Sequence, residues 1–150
     1  MKIMFICTGN ICRSAMAEAM MKKMAKENQK NVEIYSCGIF ADDGDIPTEN
    51  AIETMKQYEI DLKSHRATNI RHSHIEEMDL ILCATNSHKM SVLQLYPNLE
   101  NKVFTLKEYV GIKDELNGID IKDPWGYDLK TYQECAKEIK ECLEKLTEKI

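Results

Sequence analysis

The feature that most constrains the fold is the alternation of short apolar runs with segments of helical periodicity along the whole chain. Strands that are apolar on both faces are typical of a parallel sheet, and strand–helix alternation places helices on both faces of it. We therefore predict one α/β domain over residues 1–150, with a four-stranded parallel sheet and helices on both faces. The predicted strands are Lys2–Cys7, Val32–Ser36, Leu80–Cys83 and Val103–Leu106.

Capping residues and prolines predict where the helices begin and end. A helix is expected from Ser14, and a second is expected to open at Pro47, because proline suits the first turn of a helix. A third helix is expected to end before Pro97. Asp128 is predicted to cap the last helix, which would bury a stripe of residues beginning at Leu129.

Composition excludes several classes of protein. The chain is 43% hydrophobic and 30% charged, which suits a soluble globular domain rather than a disordered or collagen-like chain. A net charge of -5 argues against nucleic-acid binding through bulk charge. No apolar stretch approaches the roughly 20 residues that cross a bilayer, and the N-terminal run does not resemble a signal peptide. We expect a cytoplasmic protein without membrane or nucleic-acid partners; its oligomeric state is left open.

The six cysteines do not have the spacing of a structural zinc site. In a chain without a secretory signal they are expected to be mostly reduced. Cys135 and Cys142 lie seven residues apart on one predicted helix face and are expected to be packing residues. The pair His72 and His74 is expected to be solvated. We therefore predict neither a metal site nor a cofactor.

The loop that joins the first strand to the first helix has a spacing suited to binding an oxyanion. Cys7 and Arg13 are separated by five residues, enough for the backbone N–H groups to surround a phosphate as an anion nest. Gly9 and Asn10 are residue types that tolerate left-handed backbone angles in such a curve. The helix that starts near Ser14 adds the positive end of its dipole.

The residue types in this loop point to nucleophilic chemistry on a phosphate. A thiol at Cys7 is expected to be ionised, because helix N-termini and nearby cations favour the thiolate. Arg13 can hold two phosphate oxygens with its planar fork, and Ser14 can donate a hydrogen bond to the thiolate. The rest of the predicted binding loop is Thr8, Gly9, Asn10, Ile11 and Cys12.

A thiolate that attacks a phosphate ester also needs an acid for the leaving oxygen. Asp123, within an Asp-Pro-Trp-Gly sequence, is the best candidate, because it is predicted to lie at the same end of the sheet as the loop. Pro124 stiffens the backbone beside it, and Trp125 offers a flat surface for an aromatic ring.

The sequence from Ile6 to Ser14, ICTGNICRS, together with Asp123-Pro124 near the C-terminus, resembles the low-molecular-weight protein tyrosine phosphatases over the whole chain. The resemblance implies a four-stranded parallel sheet with flanking helices. It implies that Cys7 is the nucleophile, that Arg13 clamps the phosphate, and that Asp123 is the general acid and later activates water. Phosphotyrosine-containing proteins are then the expected substrates.

The same resemblance suggests residues that support the loop. Ser36 and His65 resemble the family's residues that hydrogen-bond the loop asparagine, here Asn10, although His65 could equally be a surface histidine. Phe40 could form one wall of the substrate cleft or belong to the core. No partner is predicted for His88.

Three other functions are compatible with the same scaffold. Protein-arginine phosphatases typically have threonine where this chain has Ile11, which cannot hydrogen-bond a guanidinium, so phosphotyrosine is favoured and phosphoarginine is the alternative. Thioredoxin-coupled arsenate reductases need a cysteine relay, but no cysteine follows Cys83 before Cys135. A phosphate-binding module without turnover would not need Cys7 and Asp123 together.

A final hypothesis concerns redox control of the nucleophile. Cys12 lies five residues after Cys7 in the same loop, so an oxidised Cys7 could be trapped as a Cys7–Cys12 disulfide. In the other interpretation, Cys12 is a small packing residue.

Overall fold

The computed structural model describes residues 1–150 and confirms the predicted four-stranded parallel sheet flanked by helices. The strands are β1 Lys2–Cys7, β2 Glu33–Gly38, β3 Leu80–Cys83 and β4 Val103–Thr105. The helices are α1 Arg13–Glu27, α2 Glu49–Lys56, α3 Asn86–Leu95, α4 Leu106–Val110 and α5 Leu129–Lys149. Three short 3-10 helices lie at Ile70–His72, Ile75–Glu77 and Pro97–Leu99. None of the helices is both long enough and apolar enough to span a membrane.

The two faces of the sheet are buried in two separate hydrophobic clusters, because side chains alternate along each strand. Ile3 and Phe5 of β1 pack in the larger cluster, which includes residues of α1, α2 and α5. Met4 and Ile6 point to the other face and pack with residues of α3 and the short 3-10 helices. The continuous apolar run of β1 is therefore explained by helical layers on both sides of it.

The order of the strands in the sheet is β2-β1-β3-β4. The chain adds β2 on one side of β1 and then crosses to add β3 and β4 on the other side. The switch point of the strand order therefore lies between β1 and β3. Ligands of such sheets bind at this point, outside the carboxyl ends of the strands. Ile6 of β1 pairs with Cys83 of β3, so the loop after Cys7 and the turn after Cys83 emerge side by side.

Several predicted boundaries were wrong by a few residues. β2 extends to Gly38, beyond the predicted end at Ser36. Leu106 belongs to α4 rather than to β4, because Thr105 and Glu108 form a capping box that starts a helix there. Pro47 precedes the cap of α2, which is Thr48. Asp128 caps α5 as predicted, but Leu129 is 37% exposed rather than buried.

Candidate active site

Asn10 shapes the loop between β1 and α1. Its φ of 57° is left-handed, as predicted, whereas Gly9 does not adopt a positive φ, so the prediction for that glycine was wrong. The Asn10 side chain is fully buried, and its amide nitrogen donates to Ser14 Oγ at 2.8 Å and to Ser36 Oγ at 2.9 Å. The side-chain oxygen Oδ1 of Asn10 accepts the backbone N–H of Thr68 at 2.9 Å. Every polar atom of the Asn10 side chain is thus used to hold the curve.

The thiol of Cys7 is buried at the start of this loop, with its Sγ 2.9 Å from Oγ of Ser14. Ser14 accepts the Asn10 amide, and its only other acceptor, the Cys37 carbonyl, is farther away at 3.5 Å. We therefore infer that the Ser14 hydroxyl donates its hydrogen to the Cys7 sulfur.

Arg13 is the first residue of α1, and only 5% of its side chain is exposed. One terminal nitrogen donates to the Ile121 carbonyl at 3.0 Å, and the other lies 3.5 Å from Oδ2 of Asp123. Its Nε–H is buried without a protein acceptor. Buried donors are normally satisfied, so the guanidinium retains hydrogen-bonding capacity for an anion.

Most of the predicted loop and the predicted acid line one cavity of about 230 Å³, whereas Asn10 and Ser14 are buried and do not line it. Asp123 is about half exposed, and its Oδ1 accepts the backbone N–H of Trp125 at 3.1 Å. The Trp125 ring is 63% exposed at the edge of the cavity. The residues that line the cavity are Cys7, Thr8, Gly9, Ile11, Cys12, Arg13, Asp123 and Trp125.

Ser36 and His65 contact Asn10, as the resemblance suggested, and His65 is not a surface histidine. Ser36 accepts the Asn10 amide and donates to the carboxylate of Glu18, while His65 Nε2 donates to the Asn10 backbone carbonyl at 2.7 Å. The sequence reasoning missed Glu18, although its place one turn after Ser14 on α1 puts both on one helix face. A continuous hydrogen-bonded chain therefore runs from Glu18 through Asn10 to the Cys7 sulfur.

Cys12 is buried behind the loop. Its Sγ lies 3.3 Å from Oη of Tyr132 in α5 and 3.8 Å from Oγ1 of Thr48. Burial raises the pKa of this thiol, partly offset by the hydrogen bond from Tyr132. Cys12 is therefore in contact with both the cavity and the core.

Two further residues that the sequence reasoning missed adjoin the loop. A Cβ on Gly38 would lie 2.5 Å from the Thr8 carbonyl oxygen and 2.8 Å from the Asn10 nitrogen, so only glycine fits there. His88 is buried, with Nε2 2.8 Å from Oγ1 of Thr8, so the expectation that it has no partner was wrong. No local sequence pattern signals either contact, because both residues are remote in sequence from the loop.

Phe40 is not a core residue, since its side chain is 78% exposed. Its backbone N–H donates to the Thr8 carbonyl at 2.9 Å, but its ring is not among the residues that line the cavity. His72 and His74 contact Asp43 and Glu77 respectively and are largely exposed. No group of three or more His, Cys, Asp or Glu side chains is arranged to hold a metal ion.

The four remaining cysteines are buried and free of disulfides; they are Cys37, Cys83, Cys135 and Cys142. Burial raises the pKa of each of these thiols. Cys135 and Cys142 both pack in the larger hydrophobic cluster, which confirms them as packing residues.

This fold, with a Cys7–Arg13 loop at the carboxyl end of β1 and a buried thiol and a carboxylate that line one cavity, is typical of a class of phosphate-ester hydrolases. Residues 2–150 match the family described as low molecular weight phosphotyrosine protein phosphatase. The chain belongs to this family, and it is a phosphatase.

Similar proteins bear two names. A protein-arginine-phosphatase of Bacillus subtilis is 36% identical over 150 residues, covering 100% of this chain and 97% of that protein. A low molecular weight protein-tyrosine-phosphatase of Staphylococcus epidermidis is 32% identical over 148 residues, covering 97% and 96% of the two chains. A crystal structure of a low molecular weight protein tyrosine phosphatase from T. tengcongensis superimposes with a TM-score of 0.93 at 39% identity, covering 100% and 99%.

Proposed function

We propose that the protein hydrolyses protein phosphotyrosine through a covalent phosphocysteine intermediate. Its membership of a protein phosphatase family establishes phosphoproteins as the class of substrate. The choice of phosphotyrosine and the roles of individual residues belong to the proposal. A cytoplasmic location is also part of the proposal. It is supported by the six free cysteines, because free thiols are typical of proteins in a reducing compartment.

In the first step, the Cys7 thiolate attacks phosphorus as the bond from phosphorus to the phenolic oxygen breaks. Ser14, at 2.9 Å, supplies the hydrogen bond that stabilises the thiolate before attack and again when it leaves. Backbone N–H groups of the loop and the Arg13 guanidinium stabilise the charge on the non-bridging oxygens. The unpartnered Nε–H of Arg13 supports this role.

Asp123 then moves two protons in succession. As a carboxylic acid it gives its proton to the departing phenolic oxygen. As a carboxylate it takes a proton from water, which attacks phosphorus and breaks the bond to sulfur, releasing phosphate and the Cys7 thiolate. The position of Asp123 supports both roles, since it lines the cavity together with Cys7 and is open to solvent.

The observation that carries the choice of substrate is the place of Ile11 in the cavity wall, where the cavity also meets Trp125. The Ile11 side chain has no hydrogen-bonding atom to offer a guanidinium, whereas its apolar surface and the indole suit a phenyl ring. Phosphoarginine is the second candidate, favoured by the relative named protein-arginine-phosphatase at 36% identity.

The deciding experiment measures kcat/KM for two peptides of identical flanking sequence, one with phosphotyrosine and one with phosphoarginine. The proposal expects a clear preference for phosphotyrosine. Faster turnover of the phosphoarginine peptide would overturn the substrate assignment while leaving the phosphocysteine chemistry intact.

A further inference from the structure

His88 connects the loop that follows β1 to the helix that follows the neighbouring strand β3. It lies in the first turn of α3, which follows β3, whereas the loop follows β1. Both ring nitrogens are 2.8 Å from a threonine hydroxyl: Nε2 from Oγ1 of Thr8 and Nδ1 from Oγ1 of Thr85. Only 8% of His88 is exposed, so the ring is held in a single place between these two partners.

The ring is neutral under ordinary conditions. Burial, with the nearby positive charge of Arg13, lowers the pKa of His88 to about 4. A neutral imidazole has one N–H donor and one acceptor nitrogen, so one threonine donates to the ring and the other accepts from it.

Counting hydrogens assigns these two roles. Thr85 caps α3, and its Oγ1 already accepts the backbone N–H of His88 at 3.1 Å. If Nδ1 also donated to Thr85, the Thr85 hydroxyl hydrogen would have no acceptor among its hydrogen-bond partners. The favoured arrangement leaves the unused hydroxyl hydrogen on the exposed Thr8 rather than on the half-buried Thr85, so Thr85 donates to Nδ1 and Nε2–H donates to Oγ1 of Thr8.

In that arrangement the hydroxyl hydrogen of Thr8 is not used by His88. Thr8 is exposed and lines the cavity immediately after Cys7. We propose that His88 is a positioning residue: its Nε2–H fixes Thr8 Oγ1 so that the Thr8 hydroxyl donates to the phosphate bound in the cavity. The proposal depends on the proposed function only in placing a phosphate there.

The turn that carries His88 also holds the segment that leads to the proposed acid. The backbone N–H of Asn86 donates to Oδ1 of Asp120 at 2.7 Å, and the N–H of Ile121 donates to the Ala84 carbonyl at 2.9 Å. The turn from β3 to α3 is thus joined to both walls of the cavity. His88 provides the link to the wall that carries the nucleophile.

The test is a double-mutant cycle on His88 and Thr8. His88→Leu and Thr8→Val each remove one member of the pair, and both are compared with the double variant. Two quantities are measured: kcat/KM for an aryl phosphate, and the Kd of inorganic phosphate by calorimetry, which does not require turnover. A hydrogen bond to a charged group corresponds to about tenfold to a hundredfold in each quantity.

The proposal expects each single variant to lose about that factor and the double variant to lose no more than either, since both remove the same contact. His88→Gln, whose amide can donate to Thr8, should recover part of the loss. His74→Leu, at a histidine that is largely exposed, is the matched control and should resemble the parent.

Two results would overturn the proposal. Losses that multiply in the double variant would show that His88 does not act through Thr8. A lower melting temperature of His88→Leu with an unchanged phosphate Kd would show a packing role alone. If the parent did not turn over aryl phosphates, the proposed function would fail, but the phosphate Kd values would still decide the role of His88.

Discussion

The Sγ of Cys7 and the Oγ of Ser14 lie 2.9 Å apart, although the two residues belong to different elements, at the end of β1 and inside α1. The loop between them turns the chain back so that a helix dipole and a hydroxyl both act on one sulfur. Asn10, held by Ser36 and His65, keeps that turn closed. The Cys7 thiol is therefore held by a network of contacts rather than by one neighbour.

Replacing the nucleophile separates binding from chemistry. We expect Cys7→Ser to abolish turnover of an aryl phosphate, because a serine hydroxyl is far less acidic than a thiol. The variant should still bind inorganic phosphate, since the loop N–H groups and Arg13 are retained. Steady-state rates and calorimetry on the same preparation check both expectations, and turnover similar to that of the parent would contradict the phosphocysteine mechanism.

The general acid is tested through the leaving group. Asp123→Ala should lower kcat by about 10²–10⁴ for phosphotyrosine, which needs a proton on its leaving oxygen. The loss should be much smaller for an aryl phosphate whose phenol is acidic enough to leave as an anion. A series of substituted phenyl phosphates measures this dependence. An equal loss across the series would show that Asp123 has a structural role, through its contacts with Arg13 and Trp125.

The substrate preference is tested at the cavity wall. Ile11→Thr introduces a hydroxyl and removes apolar surface, so the kcat/KM ratio of phosphotyrosine to phosphoarginine should fall. One hydrogen bond and the lost contact amount to about 1–3 kcal/mol, or roughly tenfold to two-hundredfold in the ratio. Ile11→Val is the matched control, because valine has the shape of threonine without its hydroxyl. A ratio in Ile11→Thr that is unchanged from the parent would assign the preference to other residues of the cavity, whereas an equal fall in both variants would assign it to the apolar contact rather than to the hydroxyl.

Oxidation of the nucleophile provides another prediction. Peroxide converts the Cys7 thiolate to a sulfenic acid, and attack by the Cys12 thiol would form a Cys7–Cys12 disulfide and release water. Inactivation should then be reversed by a dithiol, and Cys12→Ser should recover much less activity after the same treatment. Cys142→Ala is the control, because Cys142 lies in α5 and is buried in the larger hydrophobic cluster. This variant should recover like the parent. Equal recovery of Cys12→Ser would exclude a part for Cys12.

Stability at acid pH should report on His88. Its pKa is lowered to about 4 in the folded protein, below the ordinary value of about 6.5 for histidine, so the unfolded chain binds a proton first as the pH falls. The contribution of the neutral ring to stability is complete above pH 6.5 and is lost as the pH falls toward 4. It amounts to at most about 3 kcal/mol. Urea unfolding of the parent and of His88→Gln at several pH values should show a steeper decline in the parent; parallel curves would contradict the shift.

The sequence alone was sufficient for the parts of the protein that depend on neighbouring residues. Apolar runs and helix caps predicted the sheet and most helices, because burial and capping act within a few residues. The spacing of Cys7 and Arg13 between a strand and a helix predicted the oxyanion loop for the same reason. The predicted end of the sheet also indicated Asp123, and the resemblance to a known family added the contacts of Ser36 and His65 with the loop.

Tertiary structure alone decided which distant residues complete the site. His88 reaches Thr8 across 80 residues of sequence, because β1 and β3 are neighbours at the centre of the sheet. Gly38 must be glycine because the end of β2 packs on the loop backbone. Neither requirement leaves a periodic or local signal. Hydrogen bonds and close packing depend on distance in space, which only the order of the strands determines.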